Sequence, residues 1–427
     1  MGQFFCIALA LIIGLLSSRL MNLIKLPNIT GYLIAGIIMG PFVLGPYIGG
    51  WSVDGGIVNG IQTSNLYELN WITDLSLAFI AFSIGSSFNV SSLKKVGGKV
   101  ITITIFEALG GAILTLAGLF IAYAFNREIP IPTILTLSAI ACATAPAATL
   151  LVIKQYKAKG PVVNTLLPVV AMDDAVALIA FALLFGVSKT MANGSNLDAY
   201  EIIGKPILEI LISLGAGVIL GLIISFACKA FKSRNNRLIW ICFVVTSSVG
   251  LAYVCKKYLD LGASSLLCSM TASAFFSNLR KDSTETYTVM EHFTAPLFML
   301  FFIISGAHLD LRVFADQKYG LMILLIAGVY VISRAFGKRS GAALGAKLTK
   351  SEPVVQKYLG LTLIPQAGVA IGLATQAGST LGGEIGSLII SCVLVSTLIY
   401  ELVGPVLTKY ALTKAGEIIP PEKKQIS

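Results

Sequence analysis

Long apolar runs separated by short polar stretches fill this chain, and their lengths decide the element type. They lie near residues 3–23, 29–48, 70–89, 99–125, 132–153, 161–187, 203–231, 238–255, 261–278, 290–307, 319–345, 357–378 and 385–411. Runs of this length suit helices that cross a hydrocarbon layer of about 30 Å. The pattern predicts an all-α polytopic membrane protein with about 13 transmembrane helices. The alternating signature of a membrane β-barrel is absent.

Two predicted spans carry helix breakers at equivalent places. Span 5 is interrupted by Thr144-Ala-Pro-Ala-Ala-Thr149, including Ala145 and Pro146, and span 12, seven later, by Pro365-Gln366-Ala-Gly368. Six spans, one linking span and six more necessarily place two units in opposite orientations. Matched interruptions in two such halves point to a transporter's binding site, because unwound helices expose carbonyls and dipole ends at mid-membrane. The plainer reading is a pair of ordinary proline kinks, which membrane helices tolerate. Span 2 is also rich in glycine and proline, from Pro27 to Gly45, and close helix packing accounts for that.

Composition supports the membrane assignment. Of 427 residues, 56% are hydrophobic and 12% charged, against about 25% charged in soluble domains. The net charge of +10 lies in short loops rather than in a basic face, so the expected partner is the lipid bilayer and not nucleic acid. Loops after odd-numbered spans carry Lys25, Lys94, Lys95, Lys154, Lys229, Arg234, Arg280 and Lys347, while those after even-numbered spans are poorer or balanced by acids. The bias predicts an N-terminus outside and a C-terminus in the cytoplasm. The first run lacks a basic leader and reads as a retained span rather than a signal peptide. Seven scattered cysteines lack metal-site spacing and read as small packing residues. No cofactor is expected, and no soluble regulatory domain is expected beyond the short polar tail at 413–427.

The chemistry concentrates in span 6. Asp173 and Asp174 stand in PVVAMDDAVALIAF about twelve residues from Pro161, or roughly 18 Å along a helix, which puts both near the midplane. Each such charge costs about 2.5–3.5 kcal/mol or more to insert, and no Lys or Arg lies within a turn to offset it. Adjacent helical residues point about 100° apart, so the two acids are expected to do different work. Two close, desolvated carboxylates do not both ionise readily; such a pair holds a proton or a cation in competition. Hard oxygen ligands suit Na+, Li+ or K+.

A second charged set lies in span 11. Arg334 and Lys338, four residues apart, share a helical face, and either is a candidate counter-charge for Asp173. A lysine whose proton can be lost suits that role better than a guanidinium. The alternative for Lys338 and Arg339 is an anchor at the cytoplasmic end, which is the preferred reading of Arg339. Glu107 inside span 4 is a third carboxylate on the ion path or a hydrogen bonder between packed helices. His308 and His292 read as interfacial, solvated residues.

Together, Asp173-Asp174, the broken Thr144-Ala145-Pro146 segment, Ser305-Gly-Ala-His-Leu-Asp-Leu311, Arg334-Ala-Phe-Gly-Lys338 and Ile364-Pro-Gln-Ala-Gly-Val-Ala-Ile-Gly-Leu-Ala374 resemble the monovalent cation/proton antiporter superfamily. The closer resemblance is to its bacterial electrogenic Na+/H+ branch of paired-Asp type. It covers nearly the whole chain. The resemblance implies an inverted-repeat fold with two broken crossing helices and a homodimer working by elevator-like alternating access. It implies a dimerisation domain at 1–95 and 237–310, a core domain at 98–188 and 319–412, and a linker helix at 200–232. It also implies that Asp174 is the main cation and proton ligand, that Thr144 contributes oxygen, and that Asp173 pairs with Lys338. The electroneutral branch has Asn at the position of Asp173 and Asp at that of Ala145, so this chain reads as electrogenic. The expected function is Na+/H+ exchange, with Li+ or K+ also considered, in a prokaryotic inner membrane, and the protein is not expected to be an enzyme. The alternatives are a K+/H+ antiporter of the same fold and a sodium-coupled organic-anion symporter.

Overall fold

The computed structural model describes residues 2–23, 28–45, 51–53, 56–58, 69–86, 88, 97–145, 149–150, 152–153, 156–192, 204–259, 261, 263–280, 283–309 and 317–418. Pro146 lies outside this set, as do Lys25, Lys94, Lys95 and Lys154 and the tail from 419 onward. Among the described residues the regular secondary structure is helical apart from one small hairpin, in which β1 (Trp51–Val53) pairs antiparallel with β2 (Gly56–Val58).

The described helices, in chain order, are α1 (Gly2–Leu23), α2 (Asn28–Met39), α3 (Asn70–Gly85), α4 (Gly98–Phe125), α5 (Ile131–Ile140), α6 (Pro161–Ala192) and α7 (Lys205–Ala230). They continue with α8 (Arg234–Leu259), α9 (Ser265–Leu279), α10 (Ser283–Ala307), α11 (Gln317–Leu348), α12 (Pro353–Thr362), α13 (Gly368–Leu381) and α14 (Gly383–Lys414). The predicted twelfth span is therefore two helices, and the fifth leaves helical geometry after Ile140. Among the described residues, α1, α4, α6, α7, α8, α10, α11 and α14 are long and apolar enough to cross a membrane, while α2, α3 and α5 are apolar but shorter.

Local signals explain two of the starts. Ser264 accepts a hydrogen bond from the Leu267 amide at 3.2 Å and caps α9. Pro353 opens α12 in the first turn, where its missing N–H costs nothing.

Small residues let α4 and α11 approach closely. A Cβ on Gly110 would lie 2.7 Å from the carbonyl oxygen of Gly337 and 3.0 Å from Cα of Gly341, so only glycine admits this backbone contact. The same seam sets the position of one side chain. The stem of Lys338 lies over Gly111, where a Cβ would sit 3.1 Å from Lys338 Cγ.

Apolar packing falls into clusters at different places in the bundle. One joins α4, α5, α6, α11, α13 and α14 around the breaks, through Ala108, Leu137, Leu178, Tyr330, Ile371 and Tyr400 among others. A second gathers Ile103, Val162, Val163, Leu166, Ala346, Leu359 and Leu412 from α4, α6, α11, α12 and α14. A third lies among α3, α7, α8, α9 and α10. The exposed faces are themselves apolar, with Phe4, Leu15, Leu211, Ile219 and Phe226 all outward, as a hydrocarbon solvent requires.

Candidate ion-binding site

The two breaks meet. The Ala145 amide donates to the Pro365 carbonyl at 2.9 Å, tying the segment after α5 to the one between α12 and α13. A helix that ends inside the bundle leaves its last carbonyls without intrahelical partners, and in a bilayer each costs several kcal/mol if unmet. Side-chain donors serve four successive carbonyls here. Gln366 Nε2 donates to Ile140 at 2.9 Å. Arg334 Nε donates to Ala141 at 3.1 Å, and its NH2 group to Ala143 at 2.6 Å. Lys338 Nζ donates to Cys142. Arg334 also crosses to the other break, its NH1 group donating to Ile364 at 2.6 Å. Two cations thus meet the negative end of the α5 dipole, and the guanidinium fork joins both broken segments.

Further contacts hold these donors in place. The Arg334 guanidinium lies 4.6 Å from the centroid of the Tyr400 ring, a cation–π distance, and the Tyr400 hydroxyl donates to the Val331 carbonyl at 2.9 Å. The Tyr330 hydroxyl donates to Gln366 Oε1 at 3.0 Å. Tyr330, Arg334 and Lys338 recur every four residues along α11, so one helix face lines the whole polar seam.

Lys338 is the hub of the charged groups. Its Nζ lies 2.9 Å from Asp173 Oδ2 and 3.0 Å from Glu107 Oε2, and it donates to Thr144 Oγ1 at 2.7 Å. Asp173, Glu107, Lys338 and Arg334 are all fully buried. A single ammonium therefore faces two carboxylates from different helices, α4 and α6. Asp174 is also buried, and among the described residues its Oδ1 has no hydrogen-bond partner. It lies within electrostatic reach of Asp173 and Lys338. Asp173 Oδ1 is likewise unpartnered. Among the described residues the arrangement leaves buried acceptor oxygens of these acids, Glu107 Oε1 included, without hydrogen-bond partners.

Of the residues singled out from sequence, Asp173, Thr144, Lys338 and Glu107 come together, with Asp174 next along α6. Arg334 takes another position: it caps the broken helix ends and makes no ion pair with Asp173 among the described residues. Gln366 sits in the break and bridges it to α5, while Gly368 opens α13. Arg339 is exposed, as is His292, whereas His308 is partly buried just beyond α10. Tyr330 and Tyr400 belong to the site's support and were not anticipated. The spacing of Tyr330 from Arg334 was the available signal; nothing local marks Tyr400.

The sequence pattern of a family described as "Sodium/hydrogen exchanger, transmembrane" matches residues 7–409. No curated protein matches the chain. Among solved structures, the chain is similar to the sodium proton antiporter MjNhaP1 of Methanocaldococcus jannaschii at pH 8, with a TM-score of 0.71 at 18% identity, covering 99% of this chain and 100% of that one. An electron-microscopy structure of the same antiporter gives a TM-score of 0.69 at 17% identity, covering 97% and 98%. At such identities the likeness is one of fold.

Proposed function

Because the chain belongs to the sodium/hydrogen exchanger family, a family of transporters and not of enzymes, we propose that it exchanges Na+ for protons at Asp174 with net movement of charge. The observation that carries this reading is the unpartnered buried Oδ1 of Asp174 beside a base already engaged by two other acids. A carboxylate so placed holds a proton or a cation, and the two exclude each other.

Charge counting supports electrogenic exchange. Arg334 keeps its charge in both loaded states and cancels from the difference, so the count sets three carboxylates, Glu107, Asp173 and Asp174, against the one ammonium of Lys338. Two protons make it neutral: one on Asp174, one held between Asp173 and Glu107 around Lys338. One Na+ in their place leaves a single negative charge. The proton-loaded and cation-loaded states then differ by one charge, and a full cycle moves that charge across the membrane. In this reading the cation takes oxygens from Asp174, from Asp173 Oδ1 and from Thr144. The same proposal has a core of α4–α6 and α11–α14, with the breaks carried inside it, moving against α1–α3 and α8–α10 in a homodimer, with α7 as the linker.

Everted vesicles or proteoliposomes holding a pH gradient test the proposal. Added Na+ should dissipate the gradient with the native chain and leave it intact with Asp174→Asn. A gradient collapsed by K+ and not by Na+ would instead select K+/H+ exchange, and Na+-dependent uptake of an organic anion that survives Asp174→Asn would overturn the antiport reading.

A further inference from the structure

Glu417 lies three residues past the end of α14 and is buried, with 4% of its surface exposed. Its carboxylate accepts the Val162 amide at 2.5 Å and the Val163 amide at 2.9 Å. These are the first free N–H groups of α6, the helix that carries Asp173 and Asp174. Its backbone joins the same contact: the Lys159 amide donates to the Glu417 carbonyl at 3.1 Å, and the Glu417 amide donates to Leu412 at 3.0 Å. Gly416, with φ of 75°, supplies the left-handed turn that folds this residue back under the helix.

The receiving side is shaped for the acid. A Cβ on Gly160 would fall 2.5 Å from Glu417 Cδ and 2.7 Å from its Oε1, so any larger residue at 160 would occupy the carboxylate's place. Nearby, Lys409 sits over the Tyr156 ring at 4.8 Å, and Leu412 packs with Val162, Val163 and Leu166. A carboxylate on the positive end of a helix dipole, satisfying two of its orphan donors, is a strong form of N-cap. Here the cap comes from a residue more than 250 positions away. Val163 is eleven residues before Asp174, about 16 Å along the helix, and Pro168 interrupts the hydrogen-bond ladder between them. The end of α6 therefore needs an outside anchor if the ion-bearing turn is to keep its height.

We infer that Glu417 is a positioning residue for the ion site: it fastens the start of α6 to the end of α14, so that the helix bearing Asp174 and the helix bearing Tyr400 hold one register. The inference rests on Asp174 being the cation seat.

Two variants on opposite sides of the contact test it in the full-length protein: Glu417→Ala removes the carboxylate, and Gly160→Ala displaces it. Glu417→Gln, which keeps the packing and one acceptor oxygen, guards against a folding failure. Hydrogen exchange of the purified protein should show lost protection at the Val162 and Val163 amides in both alanine variants and partial loss in Glu417→Gln. In proteoliposomes the apparent KM for Na+ should rise about tenfold in both with little change in maximal rate, below the roughly 100-fold that a 1 Å misplacement can cost, and Glu417→Gln should recover most of it. Unchanged protection would refute the cap. Lost protection with an unchanged KM, or a fall in maximal rate alone, would refute the positioning role. The exchange measurement needs no transport, so a native chain without Na+/H+ exchange would count against the proposed function and leave the cap standing or fallen on its own evidence.

Discussion

Replacing Glu107 by Gln removes one of the two carboxylates that share Lys338 while leaving shape and burial nearly unchanged. The cluster then sets Asp173 and Asp174 against Lys338. One proton neutralises it, and one Na+ in exchange for that proton leaves it neutral, so the variant should run one-for-one. The size of the effect follows from the charge moved. A clamped potential of about 100 mV is worth about 2.3 kcal/mol per elementary charge. At 1.4 kcal/mol per factor of ten, that is roughly a 40-fold shift in the steady-state Na+ ratio. Proteoliposomes with equal pH on both sides and a clamped potential, loaded with tracer Na+, measure this ratio directly. The native chain should show the roughly 40-fold shift, and Glu107→Gln should show none while still dissipating an imposed pH gradient. Because Glu107 and Asp173 flank the same Nζ at 3.0 and 2.9 Å, Asp173→Asn should behave alike. A native-sized voltage response in Glu107→Gln would refute the charge count and make Glu107 a packing residue.

Asp174→Asn should abolish Na+-dependent proton movement without lowering thermal stability, since among the described residues its buried Oδ1 makes no hydrogen bond to lose; residual exchange above background in proteoliposomes would contradict this. Arg334→Lys should destabilise the protein by about 4 kcal/mol, because an ammonium cannot span the Ala141, Ala143 and Ile364 carbonyls that the guanidinium serves, and a thermal-shift measurement in detergent checks it. Gly337→Ala should cost about 1–3 kcal/mol by overpacking, its Cβ falling 2.9 Å from Cα of Gly111, and an unfolding midpoint equal to the native one would show that the α4–α11 seam can give. Glu285→Gln breaks an ion pair of 2.6 Å whose side chains are 72% and 52% exposed, so the same assay should find a change below about 1 kcal/mol.

Element type was legible because the bilayer admits few solutions: a run of about twenty apolar residues must satisfy its backbone internally. The helices near 98–125, 161–192, 205–230 and 317–348 follow the apolar runs closely. Both interruptions were legible from the pairing of Pro365 with the Thr144-Ala-Pro segment at equivalent places, not from proline alone, since Pro168, Pro296 and Pro405 stand inside continuous helices. Packing depth was less so. α5 stops at Ile140 because a side-chain shell able to receive its carbonyls stands there, and that shell comes from residues about 190 to 230 positions later in the chain. No local pattern announces it. The same holds for Glu417, whose sequence neighbourhood reads as a polar tail and whose partners are the amides of α6.

The choice between Arg334 and Lys338 as the base for Asp173 shows where linear reasoning stops. Four residues apart on one helix face, both are equally well placed by spacing. What separates them is demand. The broken end of α5 presents several carbonyls at once, and only a planar fork of fixed N–H directions can take two of them and reach Ile364 as well. Arg334 is consumed by that task. One turn along α11, Gly111 leaves room for an extended lysine stem, which carries Nζ to Asp173, Glu107 and Thr144 together. The backbone break therefore decides which cation remains for the acids. With a single ammonium between two carboxylates, the proposed exchange has Asp174 find its counter-charge in a proton or in the transported cation.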